Sequence, residues 1–95
     1  MEGMNKYICK ELYEHITEYL TDVDYNPYAD KTYETITDQE ARDLLTRKSY
    51  YHSLEHADEY GIEHSKYGKY EEMSHEDIMD IIYAVNIYRE DHGIS

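Results

Sequence analysis

Apolar residues recur at helical spacing over three stretches of the chain, and the segments between them are rich in tyrosine, glycine and charge. From Asn5 to Asp22 the residues Ile8, Leu12, Ile16, Tyr19 and Leu20, continued by Val23, fall on one side of a helix that advances about 100° per residue. The period breaks over Asp24 to Ile36, "DYNPYADKTYETI", which holds the one proline, Pro27; it reads as a loop with a short extended segment at Thr32 to Ile36. Thr37 followed by Glu40 is a capping box, in which each side chain satisfies a backbone donor that the first helical turn leaves free. A second helix starts there. It carries Ala41, Leu44, Leu45, Tyr51, Leu54 and Ala57 and stops at Gly61, which can adopt the left-handed conformation that ends helices. Its apolar stripe is irregular around "RKSYYH", which predicts a kink or break near Ser49.

"IEHSKYGKYEEM", from Ile62 to Met73, is a connector with room for a single helical turn. Ser74 with Asp77, and Met73 with Ile78 at the spacing of a hydrophobic staple, open a third helix that runs to Gly93. Ile78, Ile81, Ile82, Val85 and Tyr88 form its core face. Met79, Tyr83 and Ile87 form a second apolar strip, and a helix apolar on two sides needs neighbours on two sides. That neighbour is the chain's own long loops, a partner protein or a second copy in a homodimer. The expected fold is all-α: a single small three-helix domain with long connecting loops over residues 1–95.

Length limits what such a domain can do, because 95 residues build one modest core and no second catalytic domain. No run of about 18 apolar residues is present to span a membrane, and the start of the chain lacks the apolar stretch of a secretory signal. A cytoplasmic protein is expected. The lone Cys9 has no internal disulfide partner and reads as a small apolar residue beside the first helix's core.

Charge changes the picture more. Twenty-two acidic against nine basic residues give a net charge of −13, and every third of the chain is acidic. Such a surface repels nucleic acid and anionic membranes and attracts basic partners. On the first helix Glu11, Glu14, Glu18 and Asp22 make a stripe of their own, roughly 130° around from the apolar one. Thirteen tyrosines occur with no phenylalanine and no tryptophan. Because phenylalanine fills a dry core without a hydroxyl to satisfy, many of these rings are expected at the surface with their hydroxyls in water, where tyrosine serves recognition.

Two patterns suggest chemistry. His52, Glu55 and His56 have the H-x-x-E-H spacing and resemble the zinc motif of inverted zinc metallopeptidases, a resemblance that implies a downstream carboxylate such as Glu72 or Glu76 as third ligand. Those enzymes enclose substrate in a chamber that this chain is too short to build, so His52 and His56 remain only as metal candidates and read as helix-surface residues. Arg47 and His52 have the R-x-x-x-x-H spacing that resembles the ribonuclease motif of HEPN domains. The first intervening position, usually polar and often Asn or Asp in that family, is Lys48 here, and a chain of this charge repels RNA. The expectation is a non-enzymatic protein with no cofactor.

In length, acidity and tyrosine content the chain resembles, by style and without a diagnostic motif, the anti-defence proteins of phages and mobile elements, including anti-CRISPR inhibitors and DNA mimics. That resemblance implies an inhibitor, in the host cytoplasm if phage-encoded. It would block a basic nucleic-acid-binding protein or its nucleoprotein complex, a nuclease or defence effector, without touching nucleic acid itself. Carboxylates three or four apart on a helix lie about 5–6 Å from one another, close to the spacing of phosphates along a strand. The residues expected to make the contact are Glu11, Glu14, Glu18 and Asp22 with Tyr7 and Tyr25, extended by Asp77, Asp80, Glu90 and Asp91 around Tyr83. The alternative is a small helical interaction or oligomerisation module that works through Met79, Tyr83 and Ile87.

Overall fold

Three local sequence signals position the helices. In the computed structural model, which describes residues 8–94, the α-helices are α1 (Lys10–Val23), α2 (Asp38–Tyr60) and α3 (His75–Asp91), with a short 3-10 turn at Tyr70–Glu72. The fold is all-α; among the described residues there is no strand, and no helix is long and apolar enough to cross a membrane. The Thr37 capping box forms as read: Thr37 N–H donates to Glu40 Oε1 at 2.9 Å and Glu40 N–H to Thr37 Oγ1 at 3.2 Å. Ser74 Oγ accepts from the Asp77 N–H at 3.2 Å and starts α3. Gly61 and Gly93 end α2 and α3 at φ of 74° and 67°, each followed by a residue whose N–H bonds back to the last turn.

Three expectations are corrected. Helix α1 begins at Lys10, with Cys9 as an exposed N-cap that makes no side-chain capping bond, so Cys9 lies outside the apolar face assigned to it; Asn5 to Tyr7 lie outside the described residues. Thr32 to Ile36 is a turn and not an extended segment, because Thr35 and Ile36 N–H both donate to Thr32 O and Thr35 Oγ1 accepts from Thr32 N–H at 2.9 Å. Helix α2 runs unbroken through Ser49. Its irregular stripe comes from buried positions three apart, Ala41, Leu44, Arg47, Tyr50 and Ser53, since each such step falls about 60° short of a full turn. Among the described tyrosines, Tyr13 and Tyr50 are buried, Tyr25 and Tyr83 are exposed and the other eight are half-buried.

The chain divides into two compact units on either side of the Lys48–Ser49 bond. In the first, Ile8, Tyr13, Ile16, Leu20, Ile36, Ala41 and Leu44 are buried. The loop between α1 and α2 is fastened by polar contacts. Tyr13 Oη donates to Lys31 O at 3.3 Å, Lys31 Nζ meets Glu40 Oε2 at 2.5 Å, and Tyr28 Oη donates to Asp43 Oδ2 at 2.7 Å. The Lys31 and Thr37 hydrogen bonds hold the Glu40 carboxyl below the usual range. Arg47 is buried, with Nη1 3.8 Å from Asp24 Oδ2 and Nε 3.4 Å from Asp43 Oδ2, and its guanidinium lies 5.6 Å from the centre of the Tyr25 ring.

The second unit packs around Tyr50, Ala57, Ile78, Ile81 and Val85, with Met73 against this cluster as the staple requires. Tyr50 is fully buried, and its hydroxyl donates to Gly68 O at 2.6 Å; Tyr51 Oη accepts from the Tyr70 N–H at 3.0 Å. Both bonds tie the connector to α2.

Burial, with the charges of Tyr67 and Asp77 nearby, pushes the Tyr50 hydroxyl up to about 12, and burial followed by the Asp43 hydrogen bond raises Tyr28 as well. In the unfolded chain both titrate near 10. A pKa raised on folding favours the protonated native state, so this stability is whole below pH 10 and is lost as pH rises through the folded value. Denaturant titrations are expected to give a plateau from pH 8 to 10 and a steep fall from 10 to 12. Tyr50→Phe should flatten that fall while lowering stability at pH 8 by about 1–3 kcal/mol, because Gly68 O loses its donor. An unchanged alkaline slope in Tyr50→Phe would show that Tyr50 is not the group responsible.

Candidate functional site

Acidic side chains gather on two helices. Glu11, Glu14, Glu18 and Asp22 are all exposed along α1, and none pairs with a cation among the described residues. The spacing i, i+3, i+7, i+11 keeps them in one row because the apolar positions of α1 occupy the other side. Between them His15, Glu18, Tyr19 and Asp22 line a shallow open hollow. Of the tyrosines expected to flank this row, Tyr25 is exposed on the loop after α1, and Tyr7 lies outside the described residues.

On α3, Asp80, Tyr83, Glu90 and Asp91 are exposed, as is Glu76, whereas Asp77 is half-buried in the first turn, where its N–H is bonded to the Ser74 cap. Ile87 is exposed next to Tyr83, and Met79 is half-buried. The α1 and α3 groups lie in different units.

The last helical turns share a feature. Asp22 stands at the end of α1, Asp58 and Glu59 at the end of α2, and Glu90 and Asp91 at the end of α3; the sole cation in any of these turns is Arg89. Exposed carbonyls make the C-terminal end of a helix negative, so a carboxylate there is unfavourable by about 0.3–1 kcal/mol.

His52 and His56 do meet, though as rings in a column. Their centroids are 4.4 Å apart, edge to face, and the column continues through His56 on Tyr60 at 5.4 Å, Tyr60 on Tyr88 at 4.5 Å and Tyr88 on His92 at 3.9 Å. It joins the end of α2 to the end of α3. His56 Nδ1 is buried, 3.7 Å from Glu59 Oε2, and has no hydrogen bond; His92 Nδ1 lies 3.0 Å from Tyr88 O. Among the described residues no group of three or more His, Cys, Asp or Glu side chains is arranged around a common metal position. The column was legible in part: positions 52, 56 and 60 on one helix and 88 and 92 on another are each four apart, so each set shares a face. What the spacing alone did not give is that Tyr60 and Tyr88 stack on each other.

The R-x-x-x-x-H pair is separated in character. Arg47 is buried and engaged by Asp24 and Asp43, while His52 is exposed. Its guanidinium is committed to the loop after α1.

Position in the column sets the expected cost of removing a ring. Tyr88→Ala, taken from the middle, should lower stability by about 2–4 kcal/mol through lost area and two stacking contacts. His52→Ala, at the exposed end, should cost less than about 1 kcal/mol; urea unfolding of both variants compares them. A larger loss at His52 than at Tyr88 would mean that the histidine pair does more than cap the stack. Compared with known proteins, the chain matches no family model, no curated protein and no solved structure.

Proposed function

We propose that this chain is a non-enzymatic inhibitor that acts by contact, laying the carboxylate row of α1 on the basic, nucleic-acid-binding surface of a target such as a nuclease or defence effector. One observation carries this reading: carboxylates stand in the last turn of every α-helix, where they oppose the helix dipole, and Arg89 is the one Lys or Arg within those turns. Along α1 the cost is compounded, since Glu14 with Glu18 and Glu18 with Asp22 are like charges at i, i+4, each pair unfavourable by about 0.2–0.5 kcal/mol. These carboxylates lower stability at exposed positions where no contact of the fold uses them, which supports a role for the surface itself. Lys31 and Arg47, by contrast, are drawn into contacts with Glu40, Asp24 and Asp43, leaving Lys10 at the start of α1 as the one Lys or Arg of that helix.

A protein surface that binds the phosphate backbone offers cations at a spacing this row can meet, and Tyr25 adds an exposed ring where a base or sugar would otherwise pack. The target supplies the positive charge that the helix ends lack. Binding of this kind is dominated by electrostatic steering and weakens as salt screens it.

The triple variant Glu14→Gln, Glu18→Gln, Asp22→Asn should melt higher than the parent by about 4–8 °C, from about 1 kcal/mol of relieved repulsion, and should capture less protein from cytosol. Proteins held by the parent chain should be released by 0.5 M sodium chloride and by excess duplex DNA. Capture that withstands both, or a triple variant that captures as well as the parent, would overturn the proposal.

A further inference from the structure

The exposed face of α3 differs in kind from the row on α1, because it mixes acidic and apolar groups. Tyr83 is 62 % exposed and Ile87 54 % exposed, on a helix whose other side carries the buried Ile78, Ile81 and Val85. Counted around the axis from Tyr83, Ile87 lies about 40° to one side and Met79 about 40° to the other, so the three form one strip. Asp80 and Asp91 border it beyond Ile87, and Glu76 and Glu90 lie within it, each about two turns from Tyr83. All four carboxylates are exposed, and the one Lys or Arg of α3, Arg89, lies about 120° away from Tyr83 around the axis.

Two occupants compete for such a strip, a second copy of the chain and a different protein. In a two-fold pair the same patch meets itself, which would set these carboxylates against one another with no cation on either side; like charges brought together in this way oppose association. The strip is also narrow. Three apolar side chains do not approach the ~800 Å² per partner that stable interfaces between folded proteins bury. Its length from Glu76 to Asp91, about 22 Å, is that of four helical turns.

We infer that the α3 face docks a cationic amphipathic helix of another protein, whose apolar residues at i, i+4 and i+7 cover Met79, Tyr83 and Ile87 and whose flanking Lys or Arg side chains meet Glu76, Asp80, Glu90 and Asp91. It rests on the proposed function only for the sign of the partner's charge; the surface used is a different one, in a different unit. Recognition here is by helix against helix, with exposed apolar groups as anchors and carboxylates as guides. An acidic row on α1 and an acidic-apolar strip on α3 thus select different features of basic proteins, the first a phosphate-binding surface and the second an exposed helix.

The probe is a synthetic 18-residue peptide with leucines at i, i+4, i+7 and i+11 and lysines at flanking positions, set against a peptide of identical composition with the leucines scattered. Amide chemical shifts of the full chain report the binding site, and a titration reports affinity. Perturbations confined to Glu76 through Asp91, with at least roughly tenfold weaker binding of the scattered peptide and of Tyr83→Ser with Ile87→Ser, are expected. Both substituted side chains are exposed, and an unchanged melting temperature confirms that the variant folds. Equal binding of the two peptides, or shifts centred on α1, would overturn the inference, as would a parent chain that sediments as a dimer and a Tyr83→Ser chain that sediments as a monomer. The α1 triple variant should bind the peptide like the parent, so failure of the inhibitor reading and failure of this one leave different traces.

Discussion

A chain without phenylalanine or tryptophan takes every aromatic ring in and around its aliphatic core from tyrosine, and each hydroxyl so drawn inward needs a partner. That constraint shapes both units. Tyr13 reaches Lys31 O and Tyr28 reaches Asp43 on one side of the Lys48–Ser49 division; on the other, Tyr50 reaches Gly68 O and Tyr51 receives the Tyr70 N–H. Of these four bonds, three end on the backbone of a loop or of the short 3-10 turn. Phenylalanine in the same places would fill similar volume and leave the connecting segments without their fastenings. The rings that looked like surface in the sequence are what hold the non-helical segments to the helices.

What was legible in the sequence was what short-range chemistry decides. Thr37 with Glu40, Ser74 with Asp77, and Gly61 and Gly93 fixed ends of α2 and α3 because a cap is settled within a few residues. Ile78, Ile81 and Val85 were readable as a core face because their spacing needs no knowledge of the rest of the fold. Tyr50, Tyr13 and Arg47 were not, since each is polar enough to pass for surface. What buries them is an acceptor well away along the chain: Gly68 O, Lys31 O and the Asp24 carboxylate. The unbroken course of α2 was missed for a related reason, in that its stripe was measured against one face and its buried positions move around the axis.

The candidate surfaces divide in the same way. The α1 row and the exposure of Tyr83 and Ile87 followed from periodicity, because side chains opposite a core stripe are left to solvent. The histidine motif brings the rings of His52 and His56 together edge to face. Four-residue spacing brings rings together whatever they go on to do, and here the flat faces of Tyr60 and Tyr88 continue the contact that His52 and His56 begin. A spacing rule states which side chains share a face; the third and fourth participants decide the chemistry.

Helices that end on carboxylates leave this chain less stable by itself than its packing allows, and any cationic surface that covers them adds stability in proportion to how fully it is bound. In a living cell the consequence is one of turnover. Proteases sample the unfolded fraction, and a change of one or two kcal/mol alters abundance several-fold. If the chain binds a basic partner as proposed, engaged copies would persist while idle copies were cleared, and the amount of protein would follow the amount of that partner without a separate control on synthesis.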